Sequence, residues 1–410
     1  MIALIDGEHH PAAVRAALER LDRERGLHGV VFCGGDEKLR PGVLERSAEH
    51  YGRQVSVEEP AEALRRLAAD GVARAVVDLA DDPILPAGEK LRLAALALHL
   101  ELRYEVAGTI LEPPRYASVP FEGPTVAVIG TGKRTGKTAV AGHWASLMRE
   151  RGVEPVVVCM GRGGPEEPLL APAGTQLGEL LRLSDDGAHA ASDYLENAAL
   201  AGVATVGCTR VGGGLAGEPA DSNVAQGAAL AASLGPDAIV FEGSGSCIPP
   251  VEVSRTVCLV GDGAGALEAL GTYRLLRAQL ALVAPGGARS SEVARYCPRV
   301  LRFRLRPEPA EELPPGARVA VFSTGGASFD GLEPVLASSN LGRREALARD
   351  LDGAAAEGCD VYLTELKAAA IDTVAVHARR EGARTIFLRN RPVGVDCDLD
   401  AALIELVADA

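Results

Sequence analysis

A glycine-rich segment over residues 130–138 carries the side chains with the clearest chemistry in this sequence. Its residues are Gly130, Thr131, Gly132, Lys133, Arg134, Thr135, Gly136, Lys137 and Thr138. Glycines let consecutive backbone N–H groups face phosphate oxygens, the lysine of Gly-Lys-Thr reaches the β- and γ-phosphates, and the hydroxyl after it holds Mg²⁺. An apolar strand is predicted before the segment and an amphipathic helix after it. We therefore predict a phosphate-binding loop (P-loop) for ATP, to which Ala139 also contributes.

Two cations inside the loop, Lys133 and Arg134, are additional to the lysine that a P-loop needs. Residues between the loop glycines usually lie within reach of the phosphates. Phosphoryl transfer depends on cations along the transferring group. We therefore predict that Lys133 and Arg134 act in catalysis together with Lys137. The alternative is that the two extra cations are solvated loop charges.

An acidic residue, Glu242, ends a predicted buried strand and is followed by Gly243-Ser244-Gly245. A carboxylate in this position resembles the Walker B acid of P-loop enzymes. Mg²⁺ prefers oxygen ligands and keeps several of its waters. Glu242 is thus predicted to be catalytic and to bind Mg²⁺ together with Thr138. The alternative is a glutamate that only caps a turn.

Further basic residues stand among small residues close to the ends of predicted strands. They are Arg162, Arg210 and Lys367. Arginine binds phosphate through two parallel hydrogen bonds, and small neighbours allow close approach. In a chain of net charge −14, such cations indicate a highly anionic ligand beyond ATP, although each alone could sit in a plain turn. Asn390, after a later strand, has donors and acceptors and is predicted to read an adenine edge.

The turn after the first predicted strand contains Asp6, Glu8 and His9. Open α/β sheets bind ligands at the carboxyl ends of their strands. These side chains could bind a metal, orient a hydroxyl or transfer a proton. The alternative is a turn whose polar residues are simply exposed.

The spacing of the P-loop departs from the usual pattern, because its first glycine, Gly130, stands one position earlier than normal relative to Lys137. This longer form resembles the loop of dethiobiotin synthetase and related MinD-like ATPases. Together with Ile5–His9, Phe241–Gly245 and Thr364–Ala370, the loop also resembles the cyclic 2,3-diphosphoglycerate synthetase family. This resemblance extends over the whole chain.

The resemblance implies an ATP- and Mg²⁺-dependent ligase that closes 2,3-diphosphoglycerate through an intramolecular phosphoanhydride. It also implies that the cations Arg162, Arg210 and Lys367 bind substrate phosphates. The residues Asp6, Glu8 and His9 would then position the glycerate part. Three alternatives stay open at this point: a dethiobiotin-synthetase-like ligase acting on another anionic substrate, a MinD-like ATPase switch, and a kinase that stops at the first phosphoryl transfer.

The elements that position these residues are predicted to form an α/β protein, because short apolar strands alternate with helices. We predict an N-terminal α/β domain over residues 1–120 and a P-loop domain over 121–306. Continuous apolar strands in the latter indicate a doubly wound, mostly parallel sheet that is buried on both faces. A C-terminal α/β region over 307–410 follows a proline-rich stretch, and the sequence leaves open whether it extends the sheet of the P-loop domain.

Composition excludes several classes of function. The net charge of −14 over 410 residues disfavours nucleic acid as a partner, and aromatic residues at 4% leave few stacking platforms for bases. The N-terminus lacks the features of a signal peptide, and no apolar run is long enough to span a membrane. Eight cysteines without paired spacing indicate reduced thiols in the cytoplasm. A homodimer is expected, although nothing in the sequence sets the oligomeric state.

Overall fold

The computed structural model describes residues 1–187, 190–261, 264–286, 289–325, 332–408 and 410. Strands and helices alternate along the chain. Those of the first 115 residues are β1 Ile2–Ile5, α1 Pro11–Arg25, β2 Gly29–Phe32, α2 Ser47–Tyr51, α3 Pro60–Ala68, β3 Ala75–Asp78, α4 Ala87–His99, β4 Arg103–Val106 and β5 Thr109–Leu111.

The middle of the chain contains the strand and helix on either side of the P-loop. Its elements are β6 Thr125–Gly130, α5 Lys137–Arg149, β7 Pro155–Gly161, β8 Leu169–Ala171, α6 Leu177–Asp185, α7 Asp193–Glu196, β9 Thr205–Val211, β10 Asp221–Ser222, α8 Val224–Ser233, β11 Ala238–Glu242, β12 Arg255–Val260, α9 Thr272–Leu276, β13 Leu280–Val283 and α10 Ser290–Val293. A π-helical turn, Asn197–Ala201, continues α7.

The last part of the chain alternates in the same way. Its elements are β14 Val300–Pro309, β15 Val319–Phe322, β16 Leu336–Ser338, α11 Arg344–Ala356, β17 Val361–Glu365, α12 Val376–Glu381, β18 Arg384–Gly394 and α13 Leu399–Ala408. A π-helical turn, Ala370–Ala375, precedes α12. No described helix combines the length and the apolar character that crossing a membrane requires.

The chain divides into two compact units. The first consists of Met1–Arg115 and Ala264–Arg277. Its sheet has the strand order β2-β1-β3-β4-β5, in which β5 alone is antiparallel to its neighbour. From β1 the chain passes first to β2 on one side of it and then to β3 on the other side. The carboxyl ends of β1 and β3 therefore form a topological switch point.

The second unit, Tyr116–Gly263 with Ala278–Ala410, has one long sheet. Its strand order is β10-β9-β7-β11-β6-β12-β13-β14-β18-β17-β15-β16, and β8 also pairs with β9. The neighbours are parallel except at β8, at β10 and between β14 and β18. The predicted α/β class with a mostly parallel P-loop sheet is therefore confirmed.

One core joins the P-loop part of this unit to its C-terminal part. The buried side chain of Trp144 on α5 belongs to the same apolar cluster as Phe303 on β14, Leu366 after β17 and Leu403 on α13. Burying these side chains is the main force that holds the two parts together. The boundary expected at residue 306 falls inside β14, and the division into three domains stays a prediction.

Candidate active site

The P-loop lies where β6 ends and α5 begins, so the free N–H groups of the first helical turn face the loop. Gly136 has φ +94°, in the left-handed region that favours glycine. A Cβ on Gly130 would lie 2.7 Å from Thr135 Oγ1, so the early glycine allows the loop to close. Thr131 Oγ1 accepts a hydrogen bond from Gly261 N at 3.1 Å. These contacts shape a loop whose amides can bind phosphate.

The buried ammonium of Lys137 is held inside the loop. Its Nζ donates to Gly132 O at 2.7 Å and to Thr135 Oγ1 at 3.2 Å. Burial lowers the pKa of Lys137 to about 8, although Glu242 and Asp193 act in the opposite direction. A negative charge brought close to Lys137 favours its charged form, so this ammonium is well placed to hold the phosphates of a nucleotide.

The two predicted Mg²⁺ ligands, Thr138 and Glu242, lie side by side. Thr138 Oγ1 donates to Glu242 Oε1 at 2.5 Å, while Glu242 Oε2 accepts from Asn197 Nδ2 at 3.0 Å and from Cys159 Sγ at 3.1 Å. Burial, together with Asp193, raises the pKa of Glu242 to about 7. Two adjacent hard oxygen donors next to a phosphate loop match the preference of Mg²⁺.

The remaining ligands of such an ion would come from phosphates and water. Among the residues that the structure describes, no cluster of three or more His, Cys, Asp or Glu side chains is arranged to hold a metal. Mg²⁺ in nucleotide sites is usually bound by one or two protein groups and by the phosphates. The Thr138–Glu242 pair therefore suits a metal that arrives with its nucleotide.

Two guanidinium groups meet at the loop that follows Glu242. Gly245, with φ +61°, has no side chain, and a Cβ there would collide with Arg162 Nη2 and lie 3.5 Å from Arg210 Nη2. Arg210 is buried and donates through Nη2 to Ser244 O at 3.0 Å and through Nη1 to Gly212 O, whereas its Nε has no hydrogen-bond partner among the described residues.

Neither arginine forms an ion pair with a described carboxylate within 4 Å. A cavity of about 220 Å³ is lined by Arg162, Ser244 and Asp193 among others. Two adjacent guanidiniums without a carboxylate partner, beside a cavity and next to Glu242, are suited to bind an anion, and we name this pair the second anion site. Lys133 and Arg134 are exposed on the P-loop itself, and Arg134 has φ +58°.

Models of three domains match the chain. They are described as the cyclic 2,3-diphosphoglycerate synthetase N-terminal domain over residues 1–111, its P-loop domain over 125–290 and its C-terminal domain over 330–391. A protein of that name from Rubrobacter xylanophilus is 43% identical, over 99% of this chain and 97% of its own. The chain belongs to the cyclic 2,3-diphosphoglycerate synthetase family.

Two further proteins with the same name are similar over nearly their full lengths. The one from Thermococcus gammatolerans is 37% identical over 96% of this chain and 94% of its own. The one from Methanothermobacter thermautotrophicus is 34% identical over 100% and 96%. Among solved structures, LpxK from Aquifex aeolicus in complex with ATP matches with a TM-score of 0.41 at 15% identity, over 72% of this chain and 90% of that one.

In this synthetase-family chain, Lys367 of the C-terminal part approaches the P-loop part. Its Nζ lies 3.6 Å from Glu196 Oε2, and Glu196 precedes the Asn197 that holds Glu242. The negative charge of Glu196 raises the pKa of Lys367, and that of Glu365 does so to a smaller extent. Lys367, the predicted substrate cation, contacts Glu196, and Glu242, the predicted metal ligand, contacts the next residue, Asn197.

Asn390 lines a cavity of about 170 Å³ that also contacts Thr138 and Ala139. Its Nδ2 donates to Glu365 Oε1 at 3.3 Å. The other oxygen of Glu365 accepts from Thr324 N at 2.8 Å and from Thr324 Oγ1 at 2.7 Å. With its amide nitrogen engaged by Glu365, Asn390 has its carbonyl oxygen left to accept a hydrogen bond from a ligand.

The N-terminal turn, described within its own unit, has most of its polar groups paired. Asp6 is buried, and its Oδ1 accepts from Glu8 N at 3.1 Å and lies 2.7 Å from His9 Nδ1. Its Oδ2 accepts from Asp81 N at 2.5 Å, and Lys38 Nζ lies 2.6 Å from the Glu8 carboxylate. Asp6 therefore fixes the shape of the turn, and contact of Asp6, Glu8 and His9 with the substrate stays a prediction.

Three residues of the site, Asp193, Glu196 and Asn197, were not anticipated from the sequence. They belong to α7 and to the turn after it. The other candidate residues were predicted from the ends of strands, and no strand is predicted directly before α7. The signal was present in the run Tyr194-Leu195-Glu196-Asn197-Ala198, where two polar side chains interrupt apolar ones. Buried polar groups need partners, so such an interruption indicates a role in a polar site.

Proposed function

We propose that this chain closes 2,3-diphosphoglycerate into cyclic 2,3-diphosphoglycerate at the expense of ATP, with release of ADP and inorganic phosphate. The relatives that it matches over nearly its full length carry the name of this synthetase. The single observation that favours a second anionic substrate is the meeting of Arg162 and Arg210 at Gly245, beside the P-loop and Glu242. An enzyme that only hydrolyses ATP has no need of such a site.

The reaction divides into two phosphoryl transfers. In the first, an oxygen of one substrate phosphate attacks the γ-phosphorus of ATP, and the bond between that phosphorus and the ADP oxygen breaks. The substrate then carries a diphosphate. In the second, an oxygen of the other substrate phosphate attacks the inner phosphorus of this diphosphate. The ring anhydride forms, and the outer phosphate leaves as inorganic phosphate.

The P-loop supports the first transfer. We assign the β- and γ-phosphates to Lys137 and to the loop amides, and the transferring group to Lys133 and Arg134. Thr138 and Glu242 would hold Mg²⁺, which when bound neutralises phosphate charge. Phosphoryl transfer needs in-line positioning and cations along the phosphates rather than covalent help from the protein.

The second anion site supports both transfers by holding the acceptor. We assign the substrate phosphates to Arg162, Arg210 and Lys367. Arg210 already donates two hydrogen bonds to backbone carbonyls, so it also fixes the loop on which the acceptor lies. We assign the adenine amino group to Asn390, whose carbonyl oxygen is left as an acceptor.

The test is ATP turnover with and without 2,3-diphosphoglycerate, followed by ³¹P NMR of the product. We expect ADP release that depends on the acceptor and new resonances of a phosphoanhydride. 3-Phosphoglycerate is a matched control, because it has one phosphate and cannot close a ring. ADP release that is indifferent to 2,3-diphosphoglycerate would contradict the proposal and would favour an ATPase switch instead.

Three accompanying features are also proposed. The metal is Mg²⁺, because the donors Thr138 and Glu242 are both oxygens. The location is the cytoplasm, which agrees with eight cysteines that form no disulfide bond. The assembly is a homodimer, and light scattering of the purified full chain measures it directly.

A further inference from the structure

The carboxylate of Glu196 is buried at the end of α7 and is incompletely paired. The residue is 7% exposed, and its Oε2 has no hydrogen-bond partner among the described residues. This oxygen lies 3.6 Å from Lys367 Nζ, which is an ion-pair distance but too long for a hydrogen bond. Burial raises the pKa of Glu196 to about 7, and Lys367 acts in the opposite direction. The carboxylate thus relies on Lys367 for its charge balance.

The surroundings of this ion pair are otherwise acidic. Asp193, Glu242 and Glu365 all face Glu196 and disfavour its ionised form. A phosphate that reaches Lys367 must therefore share the ammonium with Glu196. Because the ion pair has no hydrogen bond, it is weaker than a close charge-assisted contact and is readily exchanged for one.

We propose that Glu196 is an internal substitute for the acceptor phosphate at Lys367, and that the acceptor must displace it in order to bind. This inference rests on the proposed function, because it takes Lys367 as a substrate cation. Glu196 repels the anionic substrate and the anionic product alike. It therefore weakens the binding of both and speeds the release of the product, while it keeps Lys367 charged and in place between turnovers.

The substitution Glu196→Gln separates this role from a structural one. Glutamine keeps the size of the side chain and removes the charge. We expect the Kd for 2,3-diphosphoglycerate to fall about tenfold and kcat to fall as product release slows. A side chain that merely supported the site would give weaker binding when altered. In a Lys367→Met background, Glu196→Gln should tighten binding clearly less.

The experiment is calorimetric titration of the full chain with 2,3-diphosphoglycerate at pH 8 and constant ionic strength. Glu405→Gln is the matched control, because Glu405 forms a surface ion pair with Arg299 at 2.6 Å and the change alters net charge equally. We expect Glu405→Gln to bind as the wild type does. Thermal unfolding of each variant shows whether it is folded.

Each result decides the matter. Glu196→Gln with an unchanged or higher Kd, in a folded protein, overturns the inference while leaving the proposed function intact. A wild-type chain that does not bind 2,3-diphosphoglycerate overturns both. If Glu196→Gln does not fold, Glu196→Asp replaces it: its shorter side chain draws the charge away from Lys367, and binding should tighten by a smaller factor.

Discussion

Thr138 Oγ1 and Glu242 Oε1 share a hydrogen bond of 2.5 Å although the two residues are 104 positions apart. The parallel pairing of β6 with β11 brings them together, because Glu242 lies opposite Val128 in the register of the two strands. The bond aligns a hydroxyl and a carboxylate at the mouth of the P-loop. It occupies the position in which we propose that both groups bind Mg²⁺.

Removal of the Thr138 hydroxyl should weaken the binding of Mg²⁺ at the site. We expect Thr138→Ala to raise the Mg²⁺ concentration for half-maximal ATP turnover at least about tenfold, since an oxygen ligand is lost. Thr138→Ser keeps the hydroxyl and is the control. A magnesium titration of the rate measures both variants, and equal curves for Ala and wild type would refute the role of Thr138.

Removal of the Lys137 ammonium should abolish turnover without weakening the fold. We expect Lys137→Ala to lower kcat by about 10³-fold or more, because the charge that meets the developing negative charge is lost. The lowered pKa of Lys137 shows that burial disfavours its charged form. The melting temperature of the ligand-free variant should therefore not fall at neutral pH. Retained activity would remove Lys137 from the mechanism.

Glu242 should make the ligand-free protein less stable as the pH rises. Its carboxyl has a pKa of about 7 in the folded chain against 4.5 for the ordinary group. Between these values the folded state holds a proton that the unfolded state has released, so stability falls from about pH 4.5 to pH 7. We expect Glu242→Gln, which cannot ionise, to melt higher than wild type at pH 8 and to be inactive.

The measurement is thermal unfolding of wild type and Glu242→Gln at pH 5 and pH 8 without nucleotide or metal. The melting temperature of Glu242→Gln should exceed that of wild type only slightly at pH 5, where the wild-type carboxyl is protonated in the folded chain. A difference in melting temperature that does not change with pH would contradict the burial of an ionisable group at this position.

A methyl group on Gly245 should disturb the second anion site. The new Cβ would meet Arg162 Nη2, and φ +61° strains any residue with a side chain. We expect Gly245→Ala to raise the KM for 2,3-diphosphoglycerate about tenfold with a smaller effect on the KM for ATP. Gly178→Ala is the control, because its Cβ would meet no atom within 4 Å.

Asn390 should set the choice of nucleotide. Its carbonyl oxygen is left to accept from the amino group of adenine, whereas guanine presents a carbonyl at that position. We expect Asn390→Ala to raise the KM for ATP and to narrow the preference for ATP over GTP. Steady-state kinetics with both nucleotides tests this, and an unchanged ratio of kcat/KM values would place the base elsewhere.

The P-loop and Glu242 could be predicted from sequence because their signals are local. A glycine pattern between an apolar strand and an amphipathic helix, or an acid at a strand end, needs only a few consecutive residues. Glu196 and Asn197 could not be predicted in the same way. Their roles depend on Lys367 and Glu242, which only tertiary packing brings to them.

The proline-rich stretch at the expected boundary of the C-terminal region begins inside a strand. Residues 300–302 of β14 pair with β13, but Phe303 to Pro309 pair with β18 instead. Pro307 and Pro309 lack an N–H group, and that loss is tolerated because no strand that the structure describes pairs with the other edge of this part of β14. Composition alone cannot show which edge of a strand is used.

The last helix, α13, completes a core that begins near residue 126. His143 on α5 bonds to Asp400 at 2.7 Å, across 257 positions of the chain. During synthesis, the P-loop part therefore leaves the ribosome without the side chains that cover it. Since a ribosome adds about 5–20 residues per second, this apolar surface is exposed for many seconds before α13 is made. We expect the nascent chain to depend on a chaperone until α13 emerges.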